Sequence, residues 1–535
     1  MKDRVSLTDF LMYHKETHPI SFHMPGHKGR STLYGIYGFG DFIKNVVGND
    51  ITEIPGADAL QQPRERIRDM MEGYAGLYGA KHTELLVNGS SAGLMASILG
   101  SVPRGGKLLM GRNSHKSVYG ALRLGGIDPV YIMPEIDGET GLQLGLDPDK
   151  IETALIEDPG IKAVLVTSPN YYGVLSDIER IASIVHLHGR ILIVDQAHGA
   201  HLKFFDYLRS EEGLPHRAAE NCGVDIVVDS THKTLLSFTG SAILNICTER
   251  PDVSRISELL RMLQTTSPSY LLMGSLDINQ QILRMDGYNL IKNWDTDIKY
   301  FYEEAAQIAG LGLIDRIDLD ETKVSITMSA LGLSGPELAE ELEKRNIWVE
   351  LTHGDYVMLM TGLGNERGDY EDVLSALRDL SAHHGGRIQD VESESTASKT
   401  ESAAQNAVQK QAKNEAQAMA KNEAQTTNKN ASQPVDKIAE LRTPSSDSAL
   451  IERLEQRKIP DTYEEIPLYS AEGRVLYESI IPYPPGTPIA CPGEVLSKSV
   501  ILYVRDQLVA QHVVLGVDEE GRVKVESDCV LFKEI

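Results

Sequence analysis

Short, mostly apolar runs alternate with segments of helical apolar spacing through the first half of the chain. The apolar runs are 84–87, 107–110, 129–133, 163–167, 191–195 and 225–229. The helical segment that follows 163–167 ends at Gly189, and glycine commonly follows the last turn of a helix. Runs without polar alternation are typical of strands buried on both faces of a parallel sheet. The pattern therefore predicts an α/β fold with a doubly wound parallel sheet.

The pattern changes twice after this repetition. Helical stretches and a β-like run at 323–330 predict a smaller second α/β domain. Residues 391–440 contain almost no large apolar side chains, which predicts a disordered linker. Beyond it, short β-like runs separated by Pro and Gly predict a small α+β domain. The predicted organisation is an N-terminal segment at 1–60, a large domain at 61–285, a small domain at 286–388, a linker at 389–445 and a C-terminal domain at 446–535.

Composition narrows the class of partner. The formal net charge of −25 argues against nucleic acid, which is bound through basic patches, and is compatible with a cationic substrate. No apolar stretch is long enough to cross a bilayer, and the polar N-terminus is unlike a secretory signal. The four cysteines have neither a metal-ligand spacing nor a paired framework. We therefore expect a reduced, cytoplasmic protein without a metal site.

Polar side chains follow five of the predicted strands. The segments that follow are 88–93, 111–116, 167–170, 195–198 and 229–233. Ligands in open α/β sheets bind beyond the carboxyl ends of the strands. Because loops are polar anyway, one such segment means little, but five together predict a ligand site at that edge.

The residue types in these segments suit an anionic, ring-shaped cofactor. Ser90 and Ser91 open a helix and offer a phosphate seat, although the same pair is also an ordinary helix start. Asp195 could hold a proton on a pyridine nitrogen, or it could be a structural carboxylate with a nearby partner. Lys233 could form a Schiff base with an aldehyde, although most lysines in turns are solvated surface residues. In combination these residues indicate pyridoxal phosphate.

With these motifs the chain resembles the bacterial Orn/Lys/Arg decarboxylases of fold type I, over most of 15–385 and again over 455–535. The matching segments are FHMPGHKG (22–29), DITEIPGAD (50–58), NGSSAG (88–93), RNSHKS (112–117), DQAHGAH (195–201), DSTHK (229–233), TTSPSYLLMGSLD (265–277) and PYPPGTPIACPGE (482–494). The last segment distinguishes this family from aminotransferases. Because the chain begins close to PGHKG, it looks like a short member without the N-terminal response-regulator-like domain.

The resemblance implies a role for each matching residue. Around the ring it implies Lys233 for the Schiff base, His115 for stacking, Asp195 for the ring nitrogen and Ala197 for the opposite face. For the phosphate it implies Ser90, Ser91, Ser230 and His232, with Thr265 contributed by a neighbouring subunit. Glu350 matches an acidic position near the substrate entrance, although an exposed glutamate at a strand end is equally compatible. His27 and His198 match family histidines without an assigned step.

The implied reaction is pyridoxal-phosphate-dependent decarboxylation of arginine, lysine or ornithine, which releases CO₂ and a polyamine precursor (agmatine, cadaverine or putrescine). His232 or the freed Lys233 then protonates the α-carbon, and we expect a homodimer or higher homo-oligomer with sites at the subunit interface. A fold type I aminotransferase or lyase, and a silent regulatory homologue, are the alternatives; intact Lys233, Asp195 and His115 argue against the last.

Four positions depart from the family pattern. Gln196 stands where short members usually have Glu, and Asn170 where they have Thr. Gln61 and Glu65 replace the usual His and Gly. We expect the first two to alter hydrogen bonds to the cofactor ring, whereas the other two leave the choice among the three substrates open.

Overall fold

The computed structural model describes residues 6–385, 454–460, 462–483, 487–509 and 513–527. The strands are β1 Ile20–Phe22, β2 His82–Leu86, β3 Lys107–Gly111, β4 Asp128–Ile132, β5 Ile161–Thr167, β6 Ile191–Asp195, β7 Ile226–Asp229, β8 Ala242–Ile246, β9 Gly312–Leu313, β10 Lys323–Thr327, β11 Ile347–Val349, β12 Leu351–His353, β13 Tyr356–Met360, β14 Tyr463–Pro467, β15 Ile481–Tyr483, β16 Val513–Leu515 and β17 Arg522–Glu526. The predicted linker at 389–445 lies outside the described residues.

The helices vary widely in length. They are α1 Leu7–Glu16, α2 Ser31–Ile36, α3 Gly40–Lys44, α4 Val46–Asn49, α5 Arg66–Tyr78, α6 Gly89–Ser101, α7 Lys116–Gly125, α8 Pro148–Glu157, α9 Ile178–Leu187, α10 Leu202–Glu211, α11 Thr231–Thr234, α12 Val253–Leu263, α13 Tyr270–Ala305, α14 Gly335–Glu343, α15 367–385 and α16 Lys498–Val509. Within the described part of the chain, no helix has both the length and the apolar character needed to cross a membrane.

A seven-stranded sheet forms the centre of the large domain, in the order β2-β8-β7-β6-β5-β3-β4. The neighbours from β4 to β7 are parallel, whereas β8 is antiparallel to both β7 and β2. The sheet is therefore mixed, and β8 was not predicted. The connection from β7 to β8 contains only the four-residue α11, too short for the crossover that a parallel strand needs.

The strand directions bring the polar segments together. Because β2 and β7 are both antiparallel to β8, β2 runs in the same direction as the parallel strands. The carboxyl ends of β2, β3, β5, β6 and β7 therefore meet at one edge, as the sequence predicts.

Helices cover both faces of this sheet. Val164 and Leu165 are neighbours in β5 and point to opposite faces. Leu165 packs in a buried cluster with Ile98 of α6, whereas Val164 packs in a separate cluster with Ile181 of α9. All four side chains are almost fully buried, which holds the strand ends rigidly.

A smaller antiparallel sheet, in the order β12-β13-β10-β9, follows in the chain. The long helix α13 connects the large sheet to it and is kinked at Asp286, whose φ of −148° is not helical. The predicted division at 285/286 falls inside this helix. The segment that follows β13 of the smaller sheet reaches the polar edge, since Leu363 N–H donates to Thr234 O at 2.9 Å.

The C-terminal region pairs β14 with β17 and β15 with β16, and α16 packs on a core of its own. A buried ion pair joins it to the large domain. Arg112 Nη2 donates to Glu494 Oε2 at 2.8 Å and Nε to Oε1 at 3.2 Å, with both side chains almost fully buried. Arg112 Nη1 also donates to Pro488 O at 2.8 Å. This contact anchors the C-terminal region beside the loop that carries His115.

Candidate active site

Lys233 lies in α11, the short turn of helix after β7. Its amine is 2.8 Å from Nε2 of His198. Burial lowers the pKa of Lys233 to about 8, although the charges of Asp195 and Glu350 oppose this shift. A lysine with this pKa is partly neutral near physiological pH and can act as a nucleophile, so the solvated-surface interpretation is wrong.

Asp195 is the last residue of β6 and is 3% exposed. Its Oδ1 accepts the backbone N–H of Ala197 at 3.2 Å. Burial raises the pKa of Asp195, whereas the charge of Lys233 lowers it. The carboxyl group therefore lies in the electrostatic range of the lysine amine, at the end of a neighbouring strand.

A phosphate seat is suggested by polar groups without partners. Ser230 is fully buried, and its Oγ has no hydrogen-bond partner among the described residues. Helix α6 begins at Gly89, its preceding residue Asn88 provides no side-chain cap, and Ser90 and Ser91 lie in its first turn. Free N–H groups, hydroxyls and the positive end of a helix dipole suit an anion. These residues fit the phosphate of pyridoxal phosphate.

His115 directly precedes α7 and caps it, because its Nδ1 accepts the backbone N–H of Ser117 at 3.2 Å. Burial, together with the charges of Lys233 and Lys116, lowers the pKa of His115 to about 3. The ring is therefore neutral at pH 7, and this neutral planar face can stack on an aromatic ring without a charge.

His232 is more constrained than its sequence suggests. Its Nδ1 lies 2.7 Å from Ser241 O, and because a carbonyl oxygen only accepts, Nδ1 carries the hydrogen. Burial lowers the pKa of His232 to about 4. In the neutral ring Nε2 can accept a hydrogen bond but cannot donate one. His232 could therefore donate to a phosphate, or act as an acid, only after gaining a second proton.

Glu350 lies between β11 and β12 and is half-buried, so the alternative of an exposed strand-end glutamate is wrong. Its Oε1 accepts the hydroxyl of Tyr171 at 3.0 Å, and its Oε2 accepts the N–H of Met24 at 2.9 Å. The N-terminal segment also reaches the lysine turn, since Gly26 N–H donates to His232 O at 2.8 Å.

Thr265 is exposed and follows α12. Its Oγ1 accepts the N–H of Ser267 at 3.2 Å, and its carbonyl accepts Gln61 Nε2 at 3.1 Å. The role predicted for Thr265 belongs to the site of a neighbouring subunit, so it stays a prediction.

The side chains of Gln196 and Asn170 are engaged within the protein. Gln196 is fully buried; its Nε2 donates to Asp229 Oδ1 at 2.9 Å and to Glu220 Oε2 at 3.0 Å. Asn170 Nδ2 donates to Gln143 O at 2.7 Å, and its Oδ1 accepts two backbone N–H groups. Both side chains therefore serve the surrounding structure, rather than the ring contacts expected from the sequence.

His198 is the residue that sequence reasoning left without a role. It is 7% exposed and is the group that contacts the lysine amine directly. Its position three residues after Asp195, in the same strand-end turn, was the available signal.

The described residues contain no group of three or more His, Cys, Asp or Glu side chains that could hold a metal ion.

The mixed α/β sheet, the low-pKa lysine and the unsatisfied anion seat together define a pyridoxal-phosphate-dependent enzyme of fold type I. The model for the Orn/Lys/Arg decarboxylase major domain matches residues 5–317, and the model for the C-terminal domain of that family matches 447–516. The chain belongs to the Orn/Lys/Arg decarboxylase family.

Full-length relatives agree with this membership. The chain is 29% identical over 521 residues to an arginine decarboxylase of Bacillus anthracis, covering 95% of this chain and 94% of the relative. It is 30% identical over 519 residues to an arginine decarboxylase of Bacillus subtilis (strain 168), with the same coverages. The constitutive lysine decarboxylase structure of Escherichia coli superposes with a TM-score of 0.66 at 20% identity, over 97% of this chain and 81% of that one.

These comparisons confirm four predictions from the sequence: the family, the fold class, the pyridoxal phosphate cofactor and the decarboxylation of a basic amino acid. The particular substrate, the residue roles and the oligomeric state go beyond them.

Proposed function

We propose that this protein is an arginine decarboxylase that forms agmatine and CO₂, with Lys233 as its cofactor-binding lysine. The observation that carries the proposal is the enclosed amine of Lys233, whose pKa of about 8 is governed by burial and by the charges of Asp195 and Glu350. The two Bacillus relatives named arginine decarboxylase, which match over nearly their whole length, favour arginine over lysine and ornithine.

Pyridoxal phosphate supplies an aldehyde for the lysine amine and a ring that withdraws electrons from the bond to be cleaved. Asp195 keeps the ring nitrogen protonated, because a nearby negative charge favours the cationic form. His115 and Ala197 would pack against the two ring faces. Ser90, Ser91 and Ser230 would hold the phosphate, together with Thr265 of a neighbouring subunit. The neutral ring of His232 would add to this set only by accepting a hydrogen from the phosphate, because its own hydrogen is bonded to Ser241 O.

Lys233 also provides the proton that replaces CO₂ on the α-carbon. The sequence left this step open between Lys233 and His232. Because the hydrogen on Nδ1 of His232 is bonded to Ser241 O and its pKa is about 4, the neutral ring has no free proton to give. Lys233, with a pKa of about 8, is protonated in a large share of molecules at pH 7.

Glu350 selects the distal cation of the substrate. Each of its oxygens already accepts one hydrogen bond, from Tyr171 or from Met24, which fixes the plane of the carboxylate. Each carboxylate oxygen retains a second acceptor position, so two parallel N–H groups of a guanidinium can still bind. This forked geometry favours arginine over the single ammonium of lysine or ornithine.

A second copy of the chain completes the enzyme as a cytoplasmic homodimer that supplies polyamine synthesis. Helix α1 supports this proposal, because it contains no buried residue and exposes five large apolar side chains. They are Leu7, Phe10 and Leu11 on one face, with Met12 and Tyr13 beside them, each between 51% and 73% exposed. A patch of this kind indicates a surface that another chain covers.

The test is a substrate panel with the purified protein and pyridoxal phosphate. Arginine, lysine, ornithine and the uncharged analogue norleucine are compared by release of CO₂ and of the amine. We expect agmatine from arginine as the main product. A keto acid would instead indicate an aminotransferase, and a cofactor spectrum that no substrate changes would indicate a silent homologue. Light scattering of the same sample gives the oligomeric state.

A further inference from the structure

His198 occupies a central position that neither the family motifs nor the proposed reaction explains. Its Nε2 lies 2.8 Å from Lys233 Nζ. Its ring packs edge-to-face on Tyr171, with 4.9 Å between the centroids. Tyr171 in turn donates to Glu350. His198 therefore connects the lysine amine to the side of the site that bears the substrate-selecting carboxylate.

The direction of the hydrogen bond follows from the charges around His198. Burial is the largest effect that lowers the pKa of His198, and the charges of Lys233, Lys323 and His115 add to it, against a smaller opposite effect of Asp320. The ring is therefore neutral at physiological pH. With a pKa of about 8 the Lys233 amine is mainly an ammonium at pH 7, and an ammonium only donates, so Nε2 accepts from Lys233 and the ring hydrogen lies on Nδ1.

Hydrogen bonds to the backbone hold His198 and the turn that carries it in place. Lys323 Nζ donates to His198 O at 2.8 Å, and Lys323 is itself paired with the buried Asp320. Gly199 N–H donates to Gln196 O at 2.8 Å, which closes the turn after β6. A histidine held by its carbonyl, its ring face and its Nε2 has little freedom, so the acceptor position presented to Lys233 is fixed.

We propose that His198 is a positioning residue that holds the Lys233 amine through Nε2 whenever that amine is not bonded to carbon, and thereby aims it at the aldehyde. This inference depends on the proposed role of Lys233 as the cofactor-binding lysine. It assigns no proton transfer to His198, whose ring stays neutral throughout. Lysine has many rotamers, and holding one of them removes an entropic cost each time the bond forms.

Two amide substitutions separate this role from a structural one. In His198→Gln the side-chain amide reaches about as far as Nε2, whereas in His198→Asn it reaches only about as far as Nδ1. His198→Phe keeps a ring against Tyr171 and has no acceptor. The measured quantity is the rate at which full-length protein, stripped of cofactor, forms the Lys233 bond to added pyridoxal phosphate, followed by absorbance. The melting temperature of each variant is recorded in parallel.

We expect His198→Gln to form the bond within about threefold of the unsubstituted rate, and His198→Asn and His198→Phe to be at least about tenfold slower. If the Asn variant does not fold, the Phe variant supplies the comparison. Equal rates in the folded variants, or a Gln variant as slow as Asn, would overturn the inference. Failure of the unsubstituted protein to form any bond at Lys233 would instead contradict the proposed function.

Discussion

Two lysines, the half-buried Lys233 and the fully buried Lys323, lie within one network and have opposite characters. Lys323, in the smaller sheet, is fully buried; its Nζ donates to Asp320 Oδ2 at 2.5 Å, to His198 O at 2.8 Å and to Thr322 Oγ1 at 3.3 Å. An ammonium has three hydrogens, and all three are accepted. Lys233, at the edge of the large sheet, has one hydrogen-bond partner among the described residues, Nε2 of His198.

This difference shows that burial alone does not make a lysine reactive. Lys323 has a carboxylate and two further acceptors, which hold its side chain in place as an anchor. Lys233 has a single neutral acceptor and two carboxylates acting at longer range, so burial lowers its pKa to about 8. The count of acceptors around a buried amine therefore separates the anchor from the nucleophile.

Lys28 is an instructive intermediate case. Burial lowers its pKa to about 7, below that of Lys233, although the charge of Glu350 opposes the shift. Its Nζ nevertheless donates to His23 O at 2.5 Å and to Met360 O at 2.9 Å. Two carbonyl acceptors hold this amine, so a low pKa without the neighbouring anion seat does not identify the cofactor-binding lysine.

The largest expected effect is that of Lys233→Ala. We expect decarboxylation to fall to background, and borohydride reduction to trap no cofactor on the protein, because Lys233 is the amine whose charge acts on Asp195. Activity and trapping are measured on the same preparation. Cofactor that is still trapped on this variant would show that another lysine carries the bond.

The next effect is that of Asp195→Asn. Asparagine cannot keep the ring nitrogen protonated, so we expect kcat to fall on the order of a hundredfold or more. The removed charge favoured the lysine ammonium, so the pKa of Lys233 should fall further below about 8. In the cofactor-free protein, a lower pKa leaves the amine of Lys233 neutral at lower pH, so an amine-specific reagent should modify it at lower pH than in the unsubstituted protein. The exposed Asp128→Asn is the control, and an equal shift in it would contradict the assignment.

The Lys323→Met substitution tests how much the buried ion pair between Lys323 and Asp320 stabilises the protein. It leaves Asp320 buried without its cation, which we expect to cost about 3–5 kcal/mol of unfolding free energy. The double variant Lys323→Met with Asp320→Asn should recover part of this loss, because the unpaired charge is removed. Urea unfolding measures both. An unchanged stability in the single variant would show that the pair does not anchor the turn.

A smaller effect is expected from Glu350→Gln. The loss of one charge-assisted contact to the substrate cation should raise KM for arginine roughly tenfold while lowering kcat less. Tyr171→Phe keeps the carboxylate but removes one of its donors, so its KM should rise less. Steady-state kinetics with both variants measures the effects on KM and on kcat separately. An unchanged KM in Glu350→Gln would remove this residue from substrate selection.

The smallest effect is expected from deletion of residues 395–435. This segment is so poor in large apolar residues that it cannot contribute a buried core. We expect kcat and melting temperature to stay close to those of the full chain. A large loss of either would show that the segment packs or assembles.

Much of the large sheet was predictable because most of its strands contain uninterrupted apolar runs. Strand β8 escaped prediction because Asn245 interrupts its apolar run. In the structure Asn245 is fully buried, accepts from Thr83 Oγ1 at 2.7 Å and donates to Asp229 Oδ2 at 3.2 Å. Such a polar residue is compatible with a central strand only through partners distant in sequence, which a local pattern does not contain.

The candidate site was predictable in its residues but not in its contacts. The strand ends identified Lys233 and Asp195, since directions shared by parallel strands bring their ends together. The contact from His198 to Lys233 depends on the turn after β6, and the contact from Glu350 to Met24 joins segments over three hundred residues apart. Spacing along the chain carries no information about such pairs.

The central claim, that Lys233 is the lysine bonded to pyridoxal phosphate, is tested most directly by reducing the complete enzyme with borohydride and mapping the modified peptide. We predict that the cofactor is found on Lys233, in the segment DSTHK, and that prior addition of arginine lowers the amount trapped there. Cofactor found on Lys28 or Lys323 would contradict the account. The nucleophile would then be an amine whose hydrogens are already bonded to two acceptors (Lys28) or three (Lys323).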